Sequence, residues 1–243
     1  MAEAKANVRK GKTGKKYAAA LLKVVFGKSY SIADGFKLLP EVSYAKFDET
    51  VDVSFNLGVD PKHADQMVRG ALVLPHGTGK TLRVAVLAKG DKAREAEAAG
   101  ADMVGAEDLI EKINSGWLEF DKMIATPDMM VALSKVAKVL GPRGLMPNRK
   151  LGTVTGNVTN AIKEQKLGKV EYRTEKTGII HCVIGKKSFG PEKLRENFNA
   201  LASAIVKAKP PTSKGTYMKR VTLSTTMSPG IQLDANETFA IGG

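Results

Sequence analysis

Two stretches hold the groups that could do chemistry. The first is Pro75-His76-Gly77-Thr78-Gly79-Lys80-Thr81. Its Gly-Lys-Thr ending resembles a loop whose backbone N–H groups cradle a nucleotide's phosphates while the lysine reaches between them. Such a loop needs a glycine five positions before Gly79, where Leu74 stands, and a helix after the Lys-Thr pair. The run that follows, Leu82 to Ala88 (LRVAVLA), is strand-like. Both requirements fail, and the glycines read instead as a hinge between domains. The second stretch is Tyr217 to Gly230, YMKRVTLSTTMSPG. Val221 and Leu223 alternate with Arg220, Thr222 and Ser224, the period of a strand with one apolar face. The strand ends in Thr225, Thr226, Met227 and the breaker Ser228-Pro229-Gly230. Hydroxyls, a flexible thioether and free backbone N–H groups suit a surface that meets phosphates and sugars. The alternative is an ordinary edge strand with threonines chosen for β-propensity.

Little else points to catalysis. His181 has no Cys or His partners at metal-ligand spacing, so zinc has little support. Cys182, the single cysteine, excludes an internal disulfide, fits a reducing compartment and reads as an inward-facing small apolar residue. The expectation is no enzyme, no metal and no cofactor. The chain has 243 residues, 43% of them hydrophobic, and a net charge of +13. A packed core follows from the second number and a polyanionic partner from the third, with nucleic acid ahead of an anionic membrane surface. No apolar run is long enough to span a bilayer, and no signal-peptide core follows the basic start. The expected setting is soluble and cytoplasmic, with no membrane partner.

The elements that would position these residues fall into two textures. Residues 1–16 form a basic arm, Lys5, Arg9, Lys10, Lys12, Lys15 and Lys16 against Glu3, read either as a solvated tail or as an RNA-contacting arm. A helix is expected over 17–25, and a second one capped by Ser31, with Pro40 just beyond its end. Lys46-Phe47-Asp48-Glu49-Thr50 leads into a half-buried strand on Val51, Val53, Phe55 and Leu57. Phe47 shares the odd register of that strand, which makes it core by default and a stacking platform otherwise. From Leu82 strands and helices alternate through short loops, which implies a parallel sheet covered on both faces. No GxGxxG, paired catalytic carboxylates or Ser-His-Asp set stands out there. Pro127 opens an expected helix through Leu140. A breaker-rich loop with Arg143, Arg149 and Lys150 follows, read either as a long connection or as a basic finger toward a second polyanion. After Leu167 the first texture returns: a β-hairpin over Lys169–Gly185, an amphipathic helix over Pro191–Lys207, and the Thr-Met strand.

Charge separates the textures as well. Residues 77–167 carry 14 Lys and Arg against 11 Asp and Glu, a net of +3, which leaves +10 of the +13 for the remainder. The fold class expected is α/β with two domains. A split α+β domain is built from 1–76 and 168–243, and 77–167 is an inserted Rossmann-like domain with a parallel sheet.

AKFDETVDV, LPHGTGK, GPRGLMPN, EKTGIIHCVIGKKSF and STTMSPG occur in this order. Together they resemble the family of bacterial large-subunit ribosomal protein one, the protein of the mobile lateral stalk, over nearly the whole chain. The resemblance implies a protein of the cytoplasmic ribosome, a monomer when free, whose split domain grips large-subunit rRNA. It also implies that the inserted domain lies toward deacylated exit-site tRNA, and that the protein represses its own operon through a leader mRNA. Matched position by position, it implies RNA contacts at Lys46, Phe47, Thr50, Arg173, Lys176, His181, Lys186, Ser188, Thr226 and Met227. Arg143, Arg149 and Lys150 form a possible tRNA-facing loop. Ser228 departs from the family's usual glycine, and either weakens a close backbone approach to RNA or adds a hydroxyl hydrogen bond.

Overall fold

The structure, a computed structural model, describes residues 14–242. Lys5, Arg9, Lys10 and Lys12 of the basic arm lie outside them. The chain divides into two compact units: one runs to Gly79 and resumes at Val170, and the other is Lys80–Lys169. The sequence placed the two junctions near 76 and 168.

The discontinuous unit is a four-stranded antiparallel sheet backed by helices. Helices α1 (Lys15–Leu21) and α2 (Ile32–Val42) precede strand β1 (Thr50–Leu57). Strand β2 is Arg69–Val73. Strict alternation buries Val51, Val53, Phe55 and Leu57 on one face of β1. Ser31 caps α2 by accepting the Asp34 N–H at 3.1 Å, and Glu237 accepts the Ile32 N–H at 3.0 Å. Pro40 does not end this helix. It sits in the last turn, and the helix runs on to Val42, where Ser43 N–H reaches Leu39 O at 3.2 Å. A proline in that turn removes one intrahelical donor near the end, where the helix has few bonds left to lose. Helix α1, by contrast, is shorter than expected and stops at Leu21.

The lone unit of continuous chain, Lys80–Lys169, holds strands β3 (Val84–Leu87), β4 (Met103–Gly105) and β5 (Lys122–Ala125). They form a parallel sheet of order β4-β3-β5. Helices α3 (Asp91–Ala98) and α4 (Glu107–Asn114) make its crossovers. Ala85, Leu87, Met123 and Ala125 face one core with Leu109 and Ile113 of α4. Val84, Val86 and Ile124 face the other with Ala96 of α3. A sheet buried on both faces explains the continuous apolar run from Val84 to Ala88. The helix expected from Pro127 to Leu140 is broken into 3₁₀ turns around α5 (Met130–Leu133) and α6 (Ala137–Leu140). At the break, Ser134 donates its hydroxyl proton to Val131 O at 2.6 Å, a local bond that competes with regular helix. Helix α7 (Val158–Lys166) puts Val158 and Ile162 into the second core.

After Leu167 the chain forms β6 (Lys169–Arg173), β7 (Ile179–Lys186), α8 (Gly190–Lys207), β8 (Met218–Thr225), β9 (Ile231–Leu233) and α9 (Ala235–Ala240). The expected β6–β7 hairpin does not form. The turn at 175–178 is present, with Gly178 N–H on Glu175 O at 3.0 Å. Yet β6 pairs with β2, while β7 joins the main sheet of order β7-β1-β8-β9. Thr174 draws β6 aside by donating both its N–H and its hydroxyl to Val68 O. Strand β8, paired with β1 on one side and β9 on the other, is internal and not an edge. Phe36 of α2, Phe55 of β1 and Phe198 of α8 meet in the core, with ring centroids 5.5 and 5.9 Å apart. Fully burying one such ring contributes about 1.5–3 kcal/mol.

Candidate nucleic-acid interface

Antiparallel pairing brings three strand ends to one rim of the main sheet. Thr50 opens β1 opposite Lys186, which closes β7, and Val51 lies opposite Thr225, which closes β8. Thr50 N–H donates to Thr226 Oγ1 at 3.2 Å, and Thr226 N–H returns to Thr50 O at 3.1 Å. Lys186 Nζ donates to Thr50 Oγ1 at 3.0 Å. Asp48 receives Ser188 twice, from its N–H at 3.0 Å and its hydroxyl at 2.8 Å. Lys46, Thr50, Lys186, Ser188, Thr226 and Ser228 are thus gathered at one rim. Phe47 and Met227 stand beside them with 55% and 47% of their surface exposed.

Phe47 is not core. The alternation of β1 does not extend past Glu49, because the chain turns there. Glu49 is fully buried, and one of its carboxylate oxygens accepts the Ala45 N–H at 2.8 Å. That bond closes a loop that leaves Lys46 and Phe47 outside. The other oxygen accepts the buried Thr225 hydroxyl, and Glu49 O accepts Lys187 N–H at 2.9 Å. Glu49 therefore joins the start of β1 to the end of β8 through its carboxylate and to the residue after β7 through its backbone carbonyl. Sequence reasoning passed over it, although its odd number put it on the inward register with Val51 and Val53.

Ser228 is committed inward. Its hydroxyl oxygen accepts Thr225 N–H at 2.9 Å, and its O–H donates to Pro229 O at 3.1 Å. The hydroxyl closes the turn that displays Thr226 and Met227, and its proton is already used. No residue other than glycine has positive φ among the described residues, so serine sits here without backbone strain.

The remaining expected contacts lie elsewhere on the same unit. His181 is on the solvent-side face in the middle of the edge strand β7, opposite Ser54, with Nδ1 2.9 Å from Ser54 Oγ. Arg173 and Lys176 are exposed beyond the other end of β7, roughly 25 Å from the rim by strand rise. Cys182 points inward, and burial, with a lesser contribution from Asp52, pushes its thiol up to about 12.

The glycine stretch is clamped and not a phosphate cradle. Asn197 is fully buried on α8. Its Oδ1 accepts His76 N–H at 3.0 Å, and its Nδ2 donates to Gly77 O at 3.0 Å and Ile184 O at 2.8 Å. A strand follows the Lys-Thr pair, not a helix.

In the continuous unit Arg143, Arg149 and Lys150 are exposed on the 141–152 loop. Thr153 braces that loop by accepting Asn148 N–H at 2.7 Å, and Asn148 accepts Lys150 N–H at 2.8 Å. None of the three cations is in a salt bridge among the described residues. Nor, among them, is there a cluster of His, Cys, Asp or Glu able to hold a metal ion, or a helix long and apolar enough to cross a membrane.

A two-unit protein with a cationic, hydroxyl-lined strand rim and a separate parallel-sheet unit is the class that fold and site define. The family described as ribosomal protein L1p/L10e matches residues 39–229. The chain is 56% identical over 230 residues to the large ribosomal subunit protein uL1 of Bdellovibrio bacteriovorus, covering 95% of this chain and 98% of that one. It is 58% identical over 229 residues to uL1 of Myxococcus xanthus, covering 93% and 97%. The chain belongs to the ribosomal protein L1p/L10e family.

Proposed function

We propose that the protein is a structural constituent of the large ribosomal subunit whose discontinuous unit binds rRNA of the mobile lateral stalk through the strand rim. The observation that carries this reading is the convergence of Thr50, Lys186, Ser188 and Thr226 at one end of the sheet beside exposed Phe47 and Met227. The hydroxyls and the backbone are held by cross-strand bonds before RNA arrives, so little ordering entropy opposes binding. Such a surface reads shape and 2′-OH groups, while the +10 of charge outside residues 77–167 supplies salt-dependent affinity. Arg173, Lys176 and His181 extend the contact along the strand direction, away from the rim. The finer roles are that Arg143, Arg149 and Lys150 face deacylated tRNA leaving the exit site, and that the rim also binds a leader mRNA of the protein's own operon. A filter-binding titration tests the main reading. At moderate salt the protein should prefer a stalk-rRNA fragment over a scrambled RNA of equal length, and equal affinities would contradict it.

A further inference from the structure

A second surface on the discontinuous unit has no role in this account. It is a groove of about 390 Å³ between α1 with the turn after it and the outer side of β8 and β9. Tyr17, Phe26, Lys28, Arg220 and Thr222 are among its lining residues. Phe26 is 77% exposed, and Leu22 and Val25 beside it are each 54% exposed. This exposure is built in. Val25-Phe26-Gly27-Lys28 is a four-residue turn closed by Lys28 N–H on Val25 O at 3.3 Å. Gly27 has φ +79, the left-handed backbone that the third residue of a type II turn requires. Val25 N–H is tied to Tyr30 Oη at 2.9 Å, and Tyr30 N–H to Gln232 O at 2.9 Å. The phenyl ring is therefore held out in water by a turn anchored to the sheet, and apolar surface held out in this way calls for a partner.

Charge selects that partner. The lining includes Lys28 and Arg220 and no acidic residue. The neighbouring groove, beside Thr226, Met227 and Ser228, includes Lys15 and Lys16 and again no acidic residue. Tyr17 lines both, so the two grooves form one continuous surface leading away from the rim. An aromatic face flanked by cations, with hydroxyl and amide groups at hand, matches a nucleotide: the base stacks and the phosphate pairs.

We propose that the Phe26 turn is a second RNA-docking point, which stacks an unpaired base of the rRNA held at the strand rim and pairs its phosphate with Lys28 and Arg220. This rests on the reading that the rim binds rRNA. The test is filter binding of the full chain to large-subunit rRNA at fixed salt, with urea midpoints to verify folding. Phe26→Ala should weaken binding by the amount one base–aromatic stack carries, about 5- to 150-fold. Phe26→Leu should be as weak, since it has no π face, and Phe26→Trp should bind like the wild type. Lys28→Ala should lower the salt slope by about 0.7–0.9. Undiminished binding by Phe26→Ala, or full binding by Phe26→Leu, overturns the proposal while leaving the rim reading intact. Self-association in equilibrium sedimentation that Phe26→Ala abolishes, with RNA affinity unchanged, overturns it in favour of a contact between copies. A wild-type chain with no preference for rRNA removes both readings.

Discussion

The strand rim and the 141–152 loop both present cations and breakers, yet they are built differently. At the rim Thr50, Lys186, Ser188 and Thr226 are bonded to neighbouring segments, and the fully buried Glu49 ties β1 to β8 through its carboxylate and to the residue after β7 through its backbone carbonyl. Lys186 itself is engaged, bonded to Thr50 Oγ1. On the loop, Arg143, Arg149 and Lys150 are exposed, and only the backbone around Asn148 and Thr153 is braced. On the proposed reading, the rim is organised for shape recognition. The loop offers charge that can adjust to a backbone without fixing a register.

The sharpest way to break this contrast is at Thr226 and Met227. The double change Thr226→Ala/Met227→Ala should cost rRNA binding about 2 kcal/mol or more, roughly 30-fold. The slope of affinity against salt should not change, because no cation is removed. Next is Glu49→Ala, which leaves the Ala45 N–H and the Thr225 hydroxyl without their acceptor. Each such loss costs about 1–3 kcal/mol, visible as a lower urea midpoint together with weaker specific binding. Glu49→Gln, which keeps an acceptor, should recover part of both.

Charge changes should act otherwise. Lys46→Ala should lower the salt slope by about 0.7–0.9 if that exposed lysine meets a phosphate, with the preference over scrambled RNA preserved. Arg149→Ala/Lys150→Ala should leave the affinity for a stalk-rRNA fragment within about 0.5 kcal/mol of the wild type. An equal loss from the rim and loop variants would erase the distinction. The smallest effect concerns the core behind the rim. Burial raises the Cys182 thiol from 9.0 to about 12. It stays neutral in the folded chain while an unfolded chain ionises. Its contribution to stability is therefore complete below pH 9 and falls away between pH 9 and 12, where Cys182→Ala should show a shallower decline in urea midpoint. At pH 8 a thiol reagent should label Cys182 only after denaturant is added.

What the sequence made legible follows from periodicity. Alternation along 51–57 and 218–225 gave the half-buried strands, and the apolar run at 82–88 gave the strand covered on both faces. Long-range hydrogen bonds have no such signature. Nothing local says that Thr174 will bond Val68 and pull β6 out of the expected hairpin, or that Glu49 will stop the alternation and turn Phe47 outward. At the rim, the end of the 217–230 strand stood out by its hydroxyls, methionine and breaker, whereas Lys186 and Ser188 were placed by family resemblance. Sequence alone could not reveal that Ser228 spends its hydroxyl proton on Pro229 O. The Val-Phe-Gly-Lys turn was readable in principle, since a glycine after an exposed aromatic is a turn signal.

The central claim is that the rim touches RNA in the assembled particle. A photoreactive benzoylphenylalanine in place of Met227, in protein incorporated into large ribosomal subunits, tests it most directly. Irradiation should join this position to large-subunit rRNA at one discrete site, and the adduct should vanish when excess stalk-rRNA fragment is present during assembly. Crosslinks only to protein, or crosslinks scattered over the rRNA, would contradict the account.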